Sequence, residues 1–164
     1  MDVSKLRSRD EVRRIIEEAR ARGERVVFTN GCFDLLHPGH VVYLAQAREL
    51  GDMLVLALNS DASVRSLKGP TRPIMNEQER ALTMSGLASV SWIVLFDEKR
   101  VVGLLDELRP TVWAKGGDYT LETLDQDERR MAESHGIEIA LIPPVEGIST
   151  TGILERIEQA KQRE

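Results

Sequence analysis

The stretch that decides the fold is RVVFTNGCFDLLHPGH, residues 25–40. Its first part, RVVFTN (25–30), is a short run rich in apolar and β-branched residues and predicts a buried strand. After Gly31 the chain reaches Pro38, which suits the first turn of a helix because its missing N–H is not needed there. The helix that follows, at 38–50, ends before Gly51. A helix entrance directly after a strand predicts an anion-binding site, because free N–H groups and the helix dipole point at the turn.

Two of the three histidines of the chain, His37 and His40, stand at this helix entrance. Each imidazole can donate one N–H to a phosphate when neutral and two when protonated. Two other interpretations are open: structural histidines at a helix cap, or two of the three or four ligands of a zinc site. The zinc interpretation is weak because the remaining histidine, His135, ends a distant polar helix. Neither GxxxxGK[ST] nor GxGxxG occurs here, so a phosphate site would not be of those kinds.

Strands and helices alternate along the rest of the chain. An amphipathic helix at 8–22 leads, and further strands are predicted at 53–59, 92–96, 111–115 and 137–142. Helices are predicted between and after them at 76–88, 99–108, 121–135 and 149–161. Continuous apolar strands separated by helices indicate an α/β fold whose parallel sheet is covered on both faces. We expect a Rossmann-like, doubly wound, five-stranded sheet in the order 3-2-1-4-5.

Length and composition predict one soluble domain. The net charge of −5 argues against nucleic acid or an anionic membrane as partner. No apolar run approaches the roughly 18–20 residues of a membrane span. The N-terminus lacks the apolar segment of a signal peptide, so we expect a cytoplasmic location. Cys32 is the single cysteine and excludes an internal disulfide.

Polar or glycine-rich stretches follow the carboxyl ends of strands one, four and five, where ligands bind in such sheets. They are NGCFDLLHPGH (30–40), KGGD (115–118) and EGISTT (146–151). Together with NSDASVRSLKGPTRPI (59–74), the longer forms FTNGCFDLLHPGH (28–40) and KGGDY (115–119) resemble the heptose-1-phosphate adenylyltransferase family. That family belongs to the cytidylyltransferase-like superfamily with the HxGH signature, and its members occur alone or fused to a sugar kinase. The resemblance covers about residues 24–157 in consistent order and implies a catalytic core there, after an N-terminal helix at 1–23. The sequence shows no kinase half, so we expect the stand-alone form.

The resemblance implies transfer of AMP from ATP to a heptose 1-phosphate, giving ADP-heptose and pyrophosphate. Mg²⁺ would bridge the nucleotide phosphates without a dedicated protein cage. Catalytic roles would fall to His37, His40 and Lys68. Nucleotide and phosphate binding would involve Asn30, Gly31, Cys32, Phe33, Gly39, Lys115, Gly116, Asp118, Ser149, Thr150 and Thr151. The sugar phosphate would contact Asp34, Asn59, Asp61, Arg72 and Arg80.

Several of these residues have a structural alternative. Lys68, placed on a Gly/Pro-rich loop, and Arg72 can be solvated charges, and Asp61 can cap the following turn. Arg80 either faces the site or pairs on the surface with Glu77, three residues earlier. For the hydroxyl residues at 149–151, the alternative to phosphate binding is N-capping of the last helix. Cys32 is interpreted as a small, weakly polar residue beside the phosphates, with a reactive thiolate as the alternative.

Rival functions remain open on the sequence alone. Glycerol-phosphate cytidylyltransferases carry similar strings but usually have an arginine just before the GISTT-like string, where this chain has residues 143–145, PPV. Nucleotidyltransferases of cofactor synthesis have an arginine where Leu154 stands. Cytidylyl transfer to glycerol 3-phosphate or another polyol or sugar phosphate is the main alternative, and an inactive nucleotide-binding regulatory module is another. ATP and a sugar phosphate are the expected partners, and a homodimer or larger homo-oligomer is left open because no interface pattern is present.

Overall fold

The computed structural model describes residues 3–145 and 147–162. Within these ranges the helices are α1 (Arg9–Ala21), α2 (Pro38–Glu49), α3 (Asp61–Lys68), α4 (Glu77–Ser85), α5 (Val102–Leu108), α6 (Gln126–Ser134) and α7 (Thr150–Lys161). The strands are β1 (Val26–Gly31), β2 (Met53–Asn59), β3 (Trp92–Phe96), β4 (Val112–Gly116) and β5 (Glu138–Ile142). In this described part, no helix combines the length and the apolar character needed to cross a bilayer.

The five strands form one parallel sheet in the order β3-β2-β1-β4-β5, which confirms the predicted topology. Strand β1 pairs with β2 along its whole length, from Val26 to Gly31. Its pairing with β4 covers only Val27, Phe28 and Thr29. The carboxyl ends of β1 and β4 therefore separate beyond Thr29. This is the point where strand order reverses, and it leaves an opening for a ligand.

Both faces of the sheet are covered, because successive side chains of each strand point to opposite faces. Phe28 of β1 packs with Val12 and Ile16 of α1 and with side chains of α5 and α6. Its neighbour Val27 packs on the other face with side chains of α2 and α4, such as Leu44. The two apolar clusters account for the continuous apolar strands in the sequence, as expected for a parallel sheet.

The helix starts agree with the sequence to within one residue at α1, α2, α4 and α7 and differ at α5 and α6. Asn76 caps α4 and forms a capping box with Glu79, as predicted. The predicted helices at 99–108 and 121–135 begin later, at Val102 and Gln126. Helix α3 was not predicted: the sequence placed Lys68 on a loop, but it is the last residue of an eight-residue helix that Ser60 caps. The loop begins only at Gly69.

The segment before α1 lies along the outer edge of β3. The N–H of Ile93 donates to the carbonyl of Lys5, and the N–H of Arg7 donates to the carbonyl of Ile93, both at 2.9 Å. Leu6 and Ile93 form a parallel bridge, and the Arg7 guanidinium lies 4.5 Å from the ring centroid of Trp92. This segment therefore supplies backbone partners to a strand that would otherwise be an open edge.

Candidate active site

Two adjoining clefts lie at the carboxyl ends of β1 and β4, between the N-termini of α2 and α7. The first cleft is lined by residues 30–34, 116–117 and 143–145, together with Tyr43. The second cleft is lined by Arg72 and residues 149–151. Both clefts share His37, His40 and Lys68. The structure thus brings together residues from the stretches after strands one, two, four and five; Glu146 lies outside the described residues.

His37 and His40 are stacked side by side at the entrance of α2. Their ring centroids are 3.7 Å apart and the rings are inclined by 20°. The Nδ1 atom of each ring is buried and has no hydrogen-bond partner among the described residues. His37 is the N-cap residue of α2 but makes no capping hydrogen bond with its side chain. His37 therefore does not cap α2 through its side chain, and both histidines instead line the two clefts.

Both imidazoles are held in the neutral form. Burial lowers the pKa of His40 to about 4, with smaller contributions from the charges of His37 and Lys68. Burial likewise lowers the pKa of His37. A neutral imidazole still carries one N–H donor, and an anion nearby would favour the protonated form. The pair can therefore bind an anion in either state, and anion binding would itself promote protonation.

The turn that carries the histidines is closely packed around two glycines. Phe33 has a left-handed backbone conformation, with φ of 43°, and its ring centroid lies 5.0 Å from that of His40. A Cβ atom at Gly31 would lie 2.7 Å from the Phe33 ring, and one at Gly39 would lie 3.0 Å from the His37 ring. The two glycines therefore allow the Phe33 and His37 rings to approach the backbone, and the Phe33 ring packs beside His40.

Positive charge and helix N–H groups surround the second cleft. Lys68 is exposed at the carboxyl end of α3, whereas the Arg72 side chain is largely buried. Ser149 caps α7, because its hydroxyl accepts a hydrogen bond from the N–H of Gly152 at 3.1 Å. The capping interpretation thus holds for Ser149. Thr150 and Thr151 line the cleft at the start of α7, where free N–H groups and hydroxyls favour an anion.

Residues 28–156 match a protein-family model described as cytidylyltransferase-like. The chain belongs to the cytidylyltransferase-like family. This confirms the superfamily that the sequence motifs indicated.

Relatives of this cytidylyltransferase-like chain match it over nearly its whole length. The bifunctional protein HldE of Syntrophotalea carbinolica is 54% identical over 154 residues, which cover 94% of this chain and 31% of the relative. The bifunctional protein HldE of Geobacter sulfurreducens is 49% identical over 157 residues, covering 96% and 32%. The chain therefore spans about a third of the length of these curated relatives.

A solved structure shares the cytidylyltransferase-like architecture. The lipopolysaccharide core biosynthesis protein from Thermoplasma volcanium superposes with a TM-score of 0.62 and is 29% identical in sequence. The match covers 75% of this chain and 98% of that protein. The likeness extends the family assignment from the sequence to the arrangement of strands and helices.

Cys32 lines the first cleft of this cytidylyltransferase-like chain as a neutral thiol. Burial raises its pKa, and this effect outweighs the opposing charges of Lys68 and Arg80. Its Sγ atom donates to the side-chain oxygen of Asn59 at 3.8 Å. The reactive-thiolate alternative is therefore wrong, because that chemistry requires a lowered pKa.

Arg80 differs most from its predicted position. The side chain is fully buried, so a surface pair with Glu77 is wrong. Its guanidinium donates to the carbonyls of Cys32, Asn59 and Met75 and to the Asp61 carboxylate, at 2.7–3.0 Å. Arg80 lines neither cleft and is not placed to face a substrate. It joins three chain segments around the site: the turn after β1, residues 59–61, and the segment that leads into α4.

Two other predicted substrate contacts also lie away from the clefts. Asn59 is only 3% exposed, and its amide donates to the Ser63 hydroxyl at 2.9 Å. Asp61 pairs with Arg80 and lines a separate surface depression with Asn76. It does not cap α3, since Ser60 does. The structure does not bring Asn59 and Asp61 to the two clefts.

Of the residues predicted at the end of β4, one lines the first cleft and the others do not. Gly116 lines the cleft, but Lys115 lies 3.8 Å from the Glu128 carboxylate and over the rings of Trp113 and Tyr119. Burial lowers the pKa of Lys115. Asp118 is exposed and lines neither cleft. Lys115 and Asp118 are therefore not placed to bind the nucleotide in this structure.

Asn30 and Tyr43 form polar links on the floor of the first cleft. The Asn30 side-chain oxygen accepts a hydrogen bond from the Trp113 indole at 3.2 Å. The Tyr43 hydroxyl bonds to Thr29 and donates to the carbonyl of Ala114 at 3.1 Å, and burial raises its pKa to about 12. These bonds link β1 and β4 at the end of their pairing. Sequence reasoning missed Tyr43, although it follows His40 by three residues and so shares its helix face.

Proposed function

We propose that this chain is a nucleotidyltransferase that transfers AMP from ATP to a heptose 1-phosphate, giving ADP-heptose and pyrophosphate. The observation that carries the proposal is the stacked His37–His40 pair, which lines both clefts at the N-terminus of α2 in a cytidylyltransferase-like chain. Relatives that share about half of its residues are named bifunctional protein HldE. Adenine and heptose are proposed from the family resemblance in the four sequence stretches.

The reaction we propose is an in-line displacement at the α-phosphorus of ATP. An oxygen of the sugar phosphate forms a bond to that phosphorus, and the bond to the bridging oxygen of pyrophosphate breaks. A phosphate monoester is already an anion near neutral pH, so the attacking oxygen needs no strong general base. The contribution of the protein is then to position the two substrates and stabilise the negative charge on the transferring and leaving phosphates.

The two clefts suggest where the parts of the substrates bind. The first cleft, bordered by Gly116 and residues 143–145, has room for a base and ribose against the backbone. The second cleft carries Lys68, Arg72 and the start of α7 and suits phosphate groups. His37 and His40 line both clefts and would donate N–H groups to the triphosphate at their junction. Charge neutralisation would therefore fall on Lys68 at the end of α3, on Arg72 in the loop that follows it, and on the N-termini of α2 and α7.

Mg²⁺ belongs to the proposal as a cation carried by the nucleotide. When bound, it would neutralise charge on the phosphate oxygens. Among the described residues there is no group of three His, Cys, Asp or Glu side chains close enough to hold a metal ion. The carboxylate that lines the first cleft, Asp34, is already engaged by backbone N–H groups of residues 74 and 75. The donor set therefore fits a cation bound mainly through the substrate.

A pyrophosphate-release assay tests the proposal. ATP, CTP and GTP are each combined with heptose 1-phosphate, other sugar 1-phosphates and glycerol 3-phosphate, and we expect the highest kcat/KM for ATP with the heptose. No release with any pair would refute the transferase assignment, and a preference for CTP with glycerol 3-phosphate would support the alternative. His40→Ala should abolish release with the fold retained. His135→Ala is a matched control, because His135 lies on the surface beside Asp106, outside both clefts.

The proposal also includes the location of the protein in the cell and its oligomeric state. A cytoplasmic location would supply ATP, and a kinase activity would have to supply the phosphorylated sugar. A homodimer or larger homo-oligomer is tested by light scattering of the purified chain.

A further inference from the structure

The Asp34 carboxylate connects two loops that border the clefts. The residue lies between β1 and α2, and its side chain is 1% exposed. Its Oδ1 atom accepts hydrogen bonds from the N–H groups of Ile74 at 2.8 Å and Met75 at 3.0 Å. Its Oδ2 atom lies 3.0 Å from the Ile74 nitrogen and 2.7 Å from Nε of Arg72. All of these contacts are with residues 72–75, about forty positions along the chain.

A second link joins the same two loops with the opposite polarity. Arg80 donates from Nε to the carbonyl of Met75 at 3.0 Å and from Nη1 to the carbonyl of Cys32 at 2.7 Å. The carboxylate of Asp34 thus binds amide N–H groups of residues 74–75, while the guanidinium binds carbonyls of residues 75 and 32. Links on both sides of the Met75 backbone restrict the rotation of this loop as well as its distance from β1.

Arg72 is the side chain whose position depends on this arrangement. Its Nε atom is buried next to Asp34 but makes no aligned hydrogen bond, so the contact is an ion pair only. No hydrogen bond of its guanidinium to another described residue is present. Arg72 lines the second cleft beside Lys68 and the N-terminus of α7. The remaining guanidinium donors of Arg72 have no partner among the described residues and can bind an anion, whereas the oxygens of Asp34 are occupied.

We propose that Asp34 is a positioning residue that holds Arg72 in the second cleft to bind the phosphate of the acceptor sugar. This rests on the proposed function and replaces the prediction that Asp34 itself contacts the sugar. A carboxylate suits the task because it accepts hydrogen bonds at both oxygens and donates none. Its negative charge also attracts the Arg72 guanidinium and keeps it next to the carboxylate.

The substitution Asp34→Asn tests the proposal with little change in shape. It removes the charge beside Arg72 and replaces one acceptor oxygen with a donor that faces N–H groups. We expect KM for the acceptor sugar phosphate to rise at least about tenfold, in line with the loss of a charged hydrogen-bonding partner. We expect the Kd for ATP to change by less than about threefold, because the histidine pair and the start of α2 keep their own packing. An equal loss of affinity for both substrates would contradict the proposal, because a general disturbance of the site would produce it.

A double-mutant cycle with Arg72→Met shows whether Asp34 acts by positioning Arg72 or by stabilising the whole site. If Asp34 acts through Arg72, Asp34→Asn should raise the acceptor KM by less than about twofold in the Arg72→Met background. An undiminished rise in that background would overturn the proposal. Asp52→Asn is the control, because the Asp52 carboxylate also accepts a backbone N–H bond, from Arg25 at 2.7 Å, at the opposite end of the sheet. It should leave both KM values unchanged.

Amide hydrogen exchange tests, without any substrate, the part of the proposal in which Asp34 holds the loop at residues 72–75. In Asp34→Asn, the N–H groups of Ile74 and Met75 should exchange at least about tenfold faster, while those of β2 keep their protection. Unchanged exchange would refute the role of Asp34 in holding the loop. Failure of the wild-type chain to release pyrophosphate would instead refute the proposed function, so the two failures are distinguishable.

Discussion

Lowering the pH is expected to strengthen ATP binding through His40. Burial holds the pKa of this imidazole at about 4 in the free protein, so it is neutral over the working range. A bound triphosphate would favour the protonated form and raise that pKa. Between the two pKa values the complex holds a proton that the free protein lacks. The affinity must therefore rise as the pH falls through the bound-state pKa and become independent of pH above it.

The size of the effect follows from the gap between the two pKa values. We take the bound-state pKa as the ordinary value of 6.5 and the free-state pKa as about 4. Linkage then gives binding that is about 4-fold tighter at pH 6 and about 30-fold tighter at pH 5 than at pH 8. The complex should also take up close to one proton at pH 5.

Isothermal titration calorimetry in buffers of different ionisation enthalpy measures both quantities. The His40→Asn variant is titrated in parallel, because ATP changes its own protonation over the same range and this variant isolates that contribution. The wild-type chain should take up more protons than the variant, and its affinity should depend more steeply on pH. Equal proton uptake by both proteins would refute the reasoning that the triphosphate meets His40.

Three further substitutions test packing around the site. Arg80→Met should lower the free energy of unfolding by about 3–5 kcal/mol in urea titrations, because it leaves a buried network broken; Arg13→Met, on the surface, should cost less than about 1 kcal/mol. Tyr43→Phe removes a buried hydroxyl with two hydrogen bonds and should cost about 1–3 kcal/mol by the same measurement. Gly116→Ala should weaken ATP binding at least about tenfold and cost about 1–3 kcal/mol, since its Cβ would lie 2.6 Å from the Tyr43 ring; Gly103→Ala, with open space around it, should leave binding unchanged.

The order of elements was predictable from the sequence because buried parallel strands have a strong pattern. The predicted bounds of the second and third strands, 53–59 and 92–96, agree with β2 and β3. Helix α3 was missed because it is short and its last residue, Lys68, directly precedes the GP pair at 69–70, which indicates a loop. A cap at Ser60 was the available signal.

The position of the histidine pair was more predictable than the rest of the candidate site. His37 and His40 belong to one contiguous turn, so their proximity follows from local sequence alone. The burial of Arg80 could not be predicted, because it depends on carbonyl groups from residues distant in sequence. Charged side chains are rarely buried, and an exposed position was the natural expectation. Lys115 was misplaced for a related reason: strand alternation decides its face, and the sequence does not show which face meets the cleft.

The edge position of residues 5–7 bears on how the chain can be shortened. A truncation at residue 24, the start of the core suggested by the motifs, would remove the backbone groups that pair with Ile93. It would also remove α1, whose Val12 and Ile16 cover one face of the sheet. Strand β3 would then offer unpaired N–H and C=O groups beside uncovered apolar surface, a template for intermolecular strand pairing. Residues 5–7 and α1 therefore protect the sheet against intermolecular strand pairing, although none of the described residues 3–23 lines the clefts.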